Sequence, residues 1–185
     1  EIDVYFSTFA KSMAGFGAFL AGNKEIIRYL KFNLRSQIFA KSLTMPMVIG
    51  GLKRLELLRT RPEIKAKLWE NVEKLQGGLK KIGYNLGDTN TCVTPVFIQG
   101  NPVEAMLLAR DLRENYGIFT SVVSYPVIPK GMILLRLIPT ASHTDAEINE
   151  TLEAFEGIYK KLETGYYKEL EAKQIKEQNL QFKEI

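Results

Sequence analysis

One cysteine, one histidine and one tryptophan occur among 185 residues, and these scarcities close off whole classes of chemistry. Cys92 cannot form a disulfide within the chain, which fits a reducing compartment and leads us to expect a cytoplasmic protein. With His143 the only imidazole, a Ser-His-Asp triad, a Cys-His pair and a zinc cluster all lack parts. His143 lies just ahead of a helix-start signal, where a structural role is expected. There is no phosphate loop of the Gly-x-x-x-x-Gly-Lys-Ser/Thr kind and no Gly-x-Gly-x-x-Gly fingerprint, and Gly15-x-Gly17 alone carries little. No apolar run approaches the roughly 20 residues of a spanning helix, so no transmembrane segment is expected, and no signal peptide is visible. The net charge is +4, yet acids and bases interleave, as in Arg59-Thr60-Arg61-Pro62-Glu63. A nucleic-acid surface would need clustered base with aromatics between, so no nucleic-acid partner is expected. The chain opens at Glu1 without methionine and enters an apolar strand with nothing before it to pair with. It is expected to be a piece of a longer polypeptide.

What is present is ordinary for a globular protein: 45% hydrophobic and 25% charged residues. Ile2-Asp3-Val4-Tyr5-Phe6 is β-rich, and Phe19-Leu20-Ala21-Gly22 is a second apolar run. Asn23 is a candidate N-cap for a helix through Leu30, with Glu25 in its first turn. Residues 36–46 form a hydroxyl-bearing connector, and Pro46 suits the first turn of the next helix. Pro62 opens another, with Ile64, Leu68, Val72, Leu75, Leu79 and Ile82 on one face and Gly83 as its stop. The two helices could form one long bent unit.

Beyond residue 84 the chain alternates strands and helices. Strands are expected over 91–98 (at an edge or irregularly paired, because of Pro95), 118–123 and 132–138. Asn101-Pro102-Val103-Glu104 starts a helix that Gly117 stops, and Thr144-Asp145-Ala146-Glu147 is a capping box. The implied class is α/β. Segments are expected at 1–45 (with the lysine segment), 46–84 (linking helices), 85–163 (a small α/β domain) and 164–185 (a charged helical tail).

Two features could carry chemistry. Lys11 lies between the two apolar runs, with hydroxyls at Ser7, Thr8 and Ser12. It is either a solvated lysine in a turn or a desolvated, nucleophilic lysine able to form an imine with a carbonyl cofactor. Arg136 stands inside Leu134-Leu135-Arg136-Leu137-Ile138. It is either an internal ion pair or outward-snorkelling arginine, or a bidentate clamp for a substrate carboxylate. An imine-forming lysine, a carboxylate-binding arginine and phosphate-binding hydroxyls are what an amino-acid enzyme using pyridoxal phosphate needs.

The segment Asp3-Val4-Tyr5-Phe6-Ser7-Thr8-Phe9-Ala10-Lys11-Ser12 resembles Asp-x-x-x-Gly-Thr-Phe-Ser-Lys-Ser/Ala of the α-oxoamine synthases. These are fold-type-I pyridoxal-phosphate enzymes that include serine palmitoyltransferase, 8-amino-7-oxononanoate synthase and glycine C-acetyltransferase. Gly17-Ala18-Phe19-Leu20-Ala21-Gly22 is similar to that family's Gly-Gly-Phe/Tyr-x-Ala-Gly strand. Phe39-Ala40-Lys41-Ser42-Leu43-Thr44 is similar to its Phe-Ser-x-Ser-Met/Leu connector. Leu135 to Thr144 resembles Ile/Leu-Arg-x-x-x-Ser/Thr-Ala-Ala-His-Thr, and the likeness, which takes in the 123–129 loop, runs over residues 1–163. Ser7, Ala10, Ala18 and Ala40 depart from the pattern, and Ala10 and Ala40 lack the serine hydroxyls that the resemblance implies near the cofactor phosphate.

The resemblance implies the C-terminal portion of a fold-type-I transferase: the end of the large domain, linking helices and a small α/β domain. It implies Lys11 as the catalytic Schiff-base lysine, Thr8 as a hydrogen-bond partner of the cofactor phosphate, and Arg136 as the carboxylate clamp. Ser42 would approach the phosphate bound by the neighbouring subunit of a homodimer. The aspartate and histidine of the family's cofactor site lie upstream of the matched region. The implied activity is a serine palmitoyltransferase-like decarboxylative condensation of an amino acid with an acyl-CoA. The alternatives are a class I/II aminotransferase, or a non-catalytic domain acting through dimer contacts.

Overall fold

The computed structural model describes residues 2–181. It divides into two compact units, Glu1–Pro62 and Glu63–Ile185.

In the first unit β1 (Val4–Thr8) and β2 (Ala18–Gly22) form an antiparallel hairpin, with Val4 opposite Gly22 and Thr8 opposite Ala18. The strand at the start of the sequence thus finds its partner downstream. On one face Tyr5 and Phe9 both pack against Phe19, at ring separations of 5.9 and 5.5 Å. Helix α1 (Lys24–Asn33) starts where Asn23 Oδ1 accepts the Glu25 backbone N–H at 3.0 Å. A short α2 (Arg35–Ile38) leads into the connector, and α3 (Met45–Thr60) begins with Pro46 in its first turn. No described residue of this unit is buried. Phe6, Phe39 and Leu52 are more than half exposed, so its apolar faces are not covered within the unit.

The second unit has a true core. Helix α4 (Pro62–Ile82) is separated from α3 by Arg61. The sequence assigns 46–84 to linking helices, whereas α4 buries Val72, Leu75 and Leu79, the positions of the apolar stripe. It is a wall of the second unit, because a stripe that wide must be covered.

The sheet contains β3 (Thr94–Phe97), β4 (Ser121–Val123) and β5 (Leu134–Leu137) in the order β3-β5-β4, antiparallel throughout. Pro95 lies on an edge strand, where its missing N–H costs least. Helix α5 (Pro102–Tyr116) is capped by Asn101, whose Oδ1 accepts the N–H groups of Val103 and Glu104, and ends at Gly117 with φ +69°. The capping box at Thr144 and Glu147 opens α6 (Asp145–Glu163). Val96 and Leu135 on the sheet, Leu108 and Leu112 on α5, and Phe155 and Ile158 on α6 are fully buried together.

Helix α7 (Tyr166–Gln181) forms in the segment read as a charged tail, of which residues 182–185 lie outside the described part. It is bolted down rather than free-standing. Tyr167 is buried, and its hydroxyl donates to Asp111 Oδ2 at 2.5 Å. Lys161 Nζ donates to the same oxygen at 2.7 Å, and Asn115 donates to Oδ1 at 2.7 Å. Burial opposes the Asp111 charge, but these three donors outweigh it and hold the carboxyl below the ordinary aspartate range. Burial, reinforced by the Asp111 carboxylate, pushes the Tyr167 phenol far above its ordinary value, so the shared proton stays on tyrosine.

Tyr167→Phe removes one donor from this carboxylate and is expected to cost about 1.5–3 kcal/mol, read as a lower denaturant midpoint at unchanged slope. Asp111 has a folded pKa below its unfolded one. Its contribution is therefore complete above about pH 4 and is lost as pH falls through the folded value. The cost of Tyr167→Phe should shrink in that acid range, and a cost that ignores pH would show that Asp111 is not the partner.

Candidate active site

Lys11 sits on the loop that joins β1 to β2, and three backbone hydrogen bonds tie that loop together. Phe9 N–H donates to Gly17 carbonyl at 2.9 Å, Gly15 N–H to Phe9 carbonyl at 2.8 Å, and Ala14 N–H to Lys11 carbonyl at 2.9 Å. The last bond makes Lys11 the first residue of a tight turn that ends on Ala14, whose φ of +41° is uncommon for a side chain with a Cβ. Thr8 closes the base: its Oγ1 donates to Gly17 carbonyl and accepts the Ala10 N–H, both at 3.1 Å.

These bonds assign Thr8 a job that its sequence position did not announce. In this structure the Thr8 hydroxyl is directed at the Gly17 carbonyl, and a phosphate acceptor would compete for the same proton. The hydroxyl holds the lysine loop shut.

Lys11 itself is exposed. Of the two readings the sequence left open, the structure shows the lysine exposed in a turn, and Tyr5, Phe6 and Phe19 of the neighbouring apolar runs are exposed as well. Its amine makes no hydrogen bond or ion pair among the described residues.

Ser42 lies in the extended connector before α3 and lines a groove of about 790 Å³ within the first unit. Lys31, Ser36 and Lys41 line it too, and Phe19 and Leu43 are among its apolar walls. The connector and the lysine loop meet at Gly17. Its φ is +89°, and a Cβ there would fall 2.7 Å from Leu43 Cδ2. Thr8, Lys11 and Ser42 thus belong to one piece of structure, organised around a glycine that no other residue could replace without strain.

Arg136 belongs to the second unit. Of the readings the sequence left open, an internal ion pair is not what the structure shows: Arg136 is exposed, so the cost of an unpaired buried guanidinium does not arise. Leu135 and Leu137 turn inward, and strand alternation puts Arg136 on the other face, opposite Pro95 and Ser121. No ion pair to it forms among the described residues.

The turn after its strand is locked from α4. Asn71 is fully buried, and its Nδ2 donates to the carbonyls of Thr140 (3.0 Å) and His143 (2.8 Å). His143 Nδ1 accepts the Thr140 N–H at 3.0 Å, the structural role expected of it. Asn71 escaped the sequence reading, although a polar residue beside Leu68, Val72 and Leu75 on one stripe was the signal for it.

Over residues 1–155 the sequence matches the family described as aminotransferase class I and II. The chain belongs to that family. It is 65% identical over 177 residues to a cysteate-C-fatty acyltransferase of Capnocytophaga ochracea, a match covering 96% of this chain and 42% of the relative. It is 34% identical to a serine palmitoyltransferase of Sphingobacterium spiritivorum over 88% of this chain and 40% of that protein. Among solved structures, a serine palmitoyltransferase with pyridoxal phosphate superposes with a TM-score of 0.79 at 28% identity, over 87% of this chain and 40% of that one.

The chain therefore spans about two fifths of the length of the relatives it matches. The resemblance to α-oxoamine synthases and the fold-type-I α/β class both stand. Among the described residues no helix is long and apolar enough to cross a membrane.

The lysine loop fits a carbonyl-bearing phosphate cofactor in its donor chemistry. It offers one primary amine without an internal partner, with the Ser7 and Ser12 hydroxyls close in sequence. Two substitutions test how the loop is held. Gly17→Ala combines an unfavourable φ with the Leu43 contact and is expected to cost about 1–3 kcal/mol. Ala14→Gly, which relieves a positive φ, is expected to leave Tm unchanged or raise it. Equal melting of both variants would show that the loop does not hold this conformation.

Proposed function

We propose that the protein is a pyridoxal-phosphate-dependent acyltransferase that joins a fatty acyl group to the α-carbon of an amino acid, with cysteate as the amino acid. The observation that carries this reading is the 65% identity, over nearly the whole chain, to a protein named for that reaction. The relationship to serine palmitoyltransferase supports the broader class, a decarboxylative condensation with a thioester such as an acyl-CoA. A carbon–carbon bond forms between the α-carbon and the acyl carbonyl carbon, and carbon dioxide and the thiol leave.

Pyridoxal phosphate, when bound, supplies an electron sink for the negative charge that develops at the α-carbon. The residues of this chain do the rest of the work assigned to them here. Lys11 Nζ would hold the cofactor covalently and would move a proton at the α-carbon. Thr8 keeps the lysine loop closed and would hydrogen-bond the cofactor phosphate, and Ser42 would approach the phosphate of the cofactor bound by the partner subunit of a homodimer. Arg136 clamps the amino-acid carboxylate through two parallel N–H donors. Cysteate carries a sulfonate where serine carries a hydroxyl, so a site built for one leaves polar groups unmatched by the other.

The test is a substrate panel with the protein loaded with pyridoxal phosphate: cysteate, serine and alanine, each with palmitoyl-CoA, followed by release of free thiol. Cysteate should turn over fastest. Serine turning over faster would place the protein with the palmitoyltransferases, and 2-oxoacid-dependent amino transfer without thiol release would make it an aminotransferase. Lys11→Ala should remove the absorbance band of the lysine-bound cofactor and lower turnover by roughly 100- to 10,000-fold. Arg136→Lys keeps the charge but loses the fork, and should raise KM for the amino acid by about tenfold or more while kcat changes less.

A further inference from the structure

The second unit contains a cavity of about 390 Å³ that none of the roles above uses. That volume lies within the range of small-ligand pockets. The family match ends at residue 155, and Tyr159, Glu163, Tyr167 and Lys168 all line the cavity from beyond that point. The turn from α6 into α7 therefore builds a wall that the family match does not cover. The 177-residue match to the Capnocytophaga protein takes in most of α7 by its length alone.

The lining has a definite chemistry. Tyr84 and Tyr159 stand edge to face at 5.2 Å between ring centres, and both border the cavity. Glu104 is only 7% exposed. Its Oε1 accepts the Asn101 amide at 3.0 Å, and its Oε2 accepts no hydrogen bond among the described residues. The same Asn101 amide nitrogen also donates to Glu171 Oε2 at 2.9 Å, which brings a second carboxylate close to Glu104. Glu163, on the rim, makes no ion pair among the described residues. Lys168 is the one cation in the lining, against the carboxylates of Glu104 and Glu163. The cavity therefore combines excess negative charge, a carboxylate oxygen with spare accepting capacity and aromatic walls. Those are the features that favour a desolvating cation able to donate N–H bonds.

We infer that this cavity is a binding site for a small organic primary ammonium compound, separate from the residues assigned to the acyltransferase reaction. The ammonium donates to Glu104 Oε2 and is flanked by the Glu163 charge, and its carbon portion lies against Tyr84 and Tyr159. Lys168 stands ready for an anionic group on the same ligand, so a zwitterionic amine would bind at least as well as a simple one.

Calorimetric titration of the full chain with ethylammonium, glycine and acetate at matched ionic strength tests this. Ethylammonium should bind at one site and acetate should not. Glycine should bind no more weakly than ethylammonium. Glu104→Gln should weaken ethylammonium binding about tenfold, and Glu163→Gln several-fold. Glu163 is a surface residue, so its variant decides the matter if Glu104→Gln does not fold. Acetate binding as well as ethylammonium, no binding of either amine, or folded variants that bind like the parent would overturn the assignment. Fatty acyl transfer should be unaffected by Glu163→Gln, so failure of this site and failure of the acyltransferase reading are read in separate assays.

Discussion

Closure of the lysine loop on Gly17 is the constraint on which the candidate active site depends. Two bonds converge on the Gly17 carbonyl, one from the Phe9 backbone and one from the Thr8 hydroxyl. Glycine is needed there twice over, for a backbone with φ of +89° and for the approach of Leu43. With the base so tied, the backbone of Lys11 is set by a turn rather than by burial. The exposed amine is then available to a ligand without first breaking an internal contact. The same glycine brings the Ser42 connector against the hairpin, so the lysine and the hydroxyl belong to one contiguous piece of structure.

The two units are stabilised in different ways. The second has a closed apolar core and several paired polar groups within it: Asp111 receives three donors, and Asn71 gives its amide N–H groups to two carbonyls while its Oδ1 is left without a partner among the described residues. In such surroundings each donor is worth more than on the surface, because the alternative is a charge or carbonyl left without water. The first unit holds together through the hairpin ladder, a line of three aromatic rings and its helix caps, with its large apolar side chains exposed. The chain spans about two fifths of its relatives' length, and the catalytic lysine assigned to it lies in the unit without a core.

Much of the local structure was legible in the residues. The caps at Asn23, Asn101 and Thr144, the stop at Gly117 and the edge position of Pro95 each follow from short-range chemistry that operates within a turn or a strand pair. The resemblance that pointed to Lys11 and Arg136 rests on contiguous motifs, which a single sequence carries in full. Less legible were properties that depend on what stands opposite. Apolar neighbours in sequence left the burial of Lys11 and Arg136 open; strand alternation turns Arg136 away from Leu135 and Leu137, and the neighbours of Lys11 are themselves uncovered. The role of Thr8 within the loop also required the position of Gly17, nine residues away.

The amino-acid sequence by itself determined the long helices and most of their caps, the α/β class and the family, because capping, periodicity and motif are encoded in neighbours along the chain; the short α2 inside the connector was not legible in it. Tertiary structure alone decided that α4 is a core wall, that Tyr167 bolts α7 to Asp111, and that Glu104 and the α6–α7 turn line one open cavity. Each of those depends on residues tens of positions apart meeting in space, and the energy of such a meeting comes from burial and from pairing polar groups away from water. For the feature that matters most, Lys11, the chain supplied the amine and the motif, and the fold supplied the closed loop that presents it.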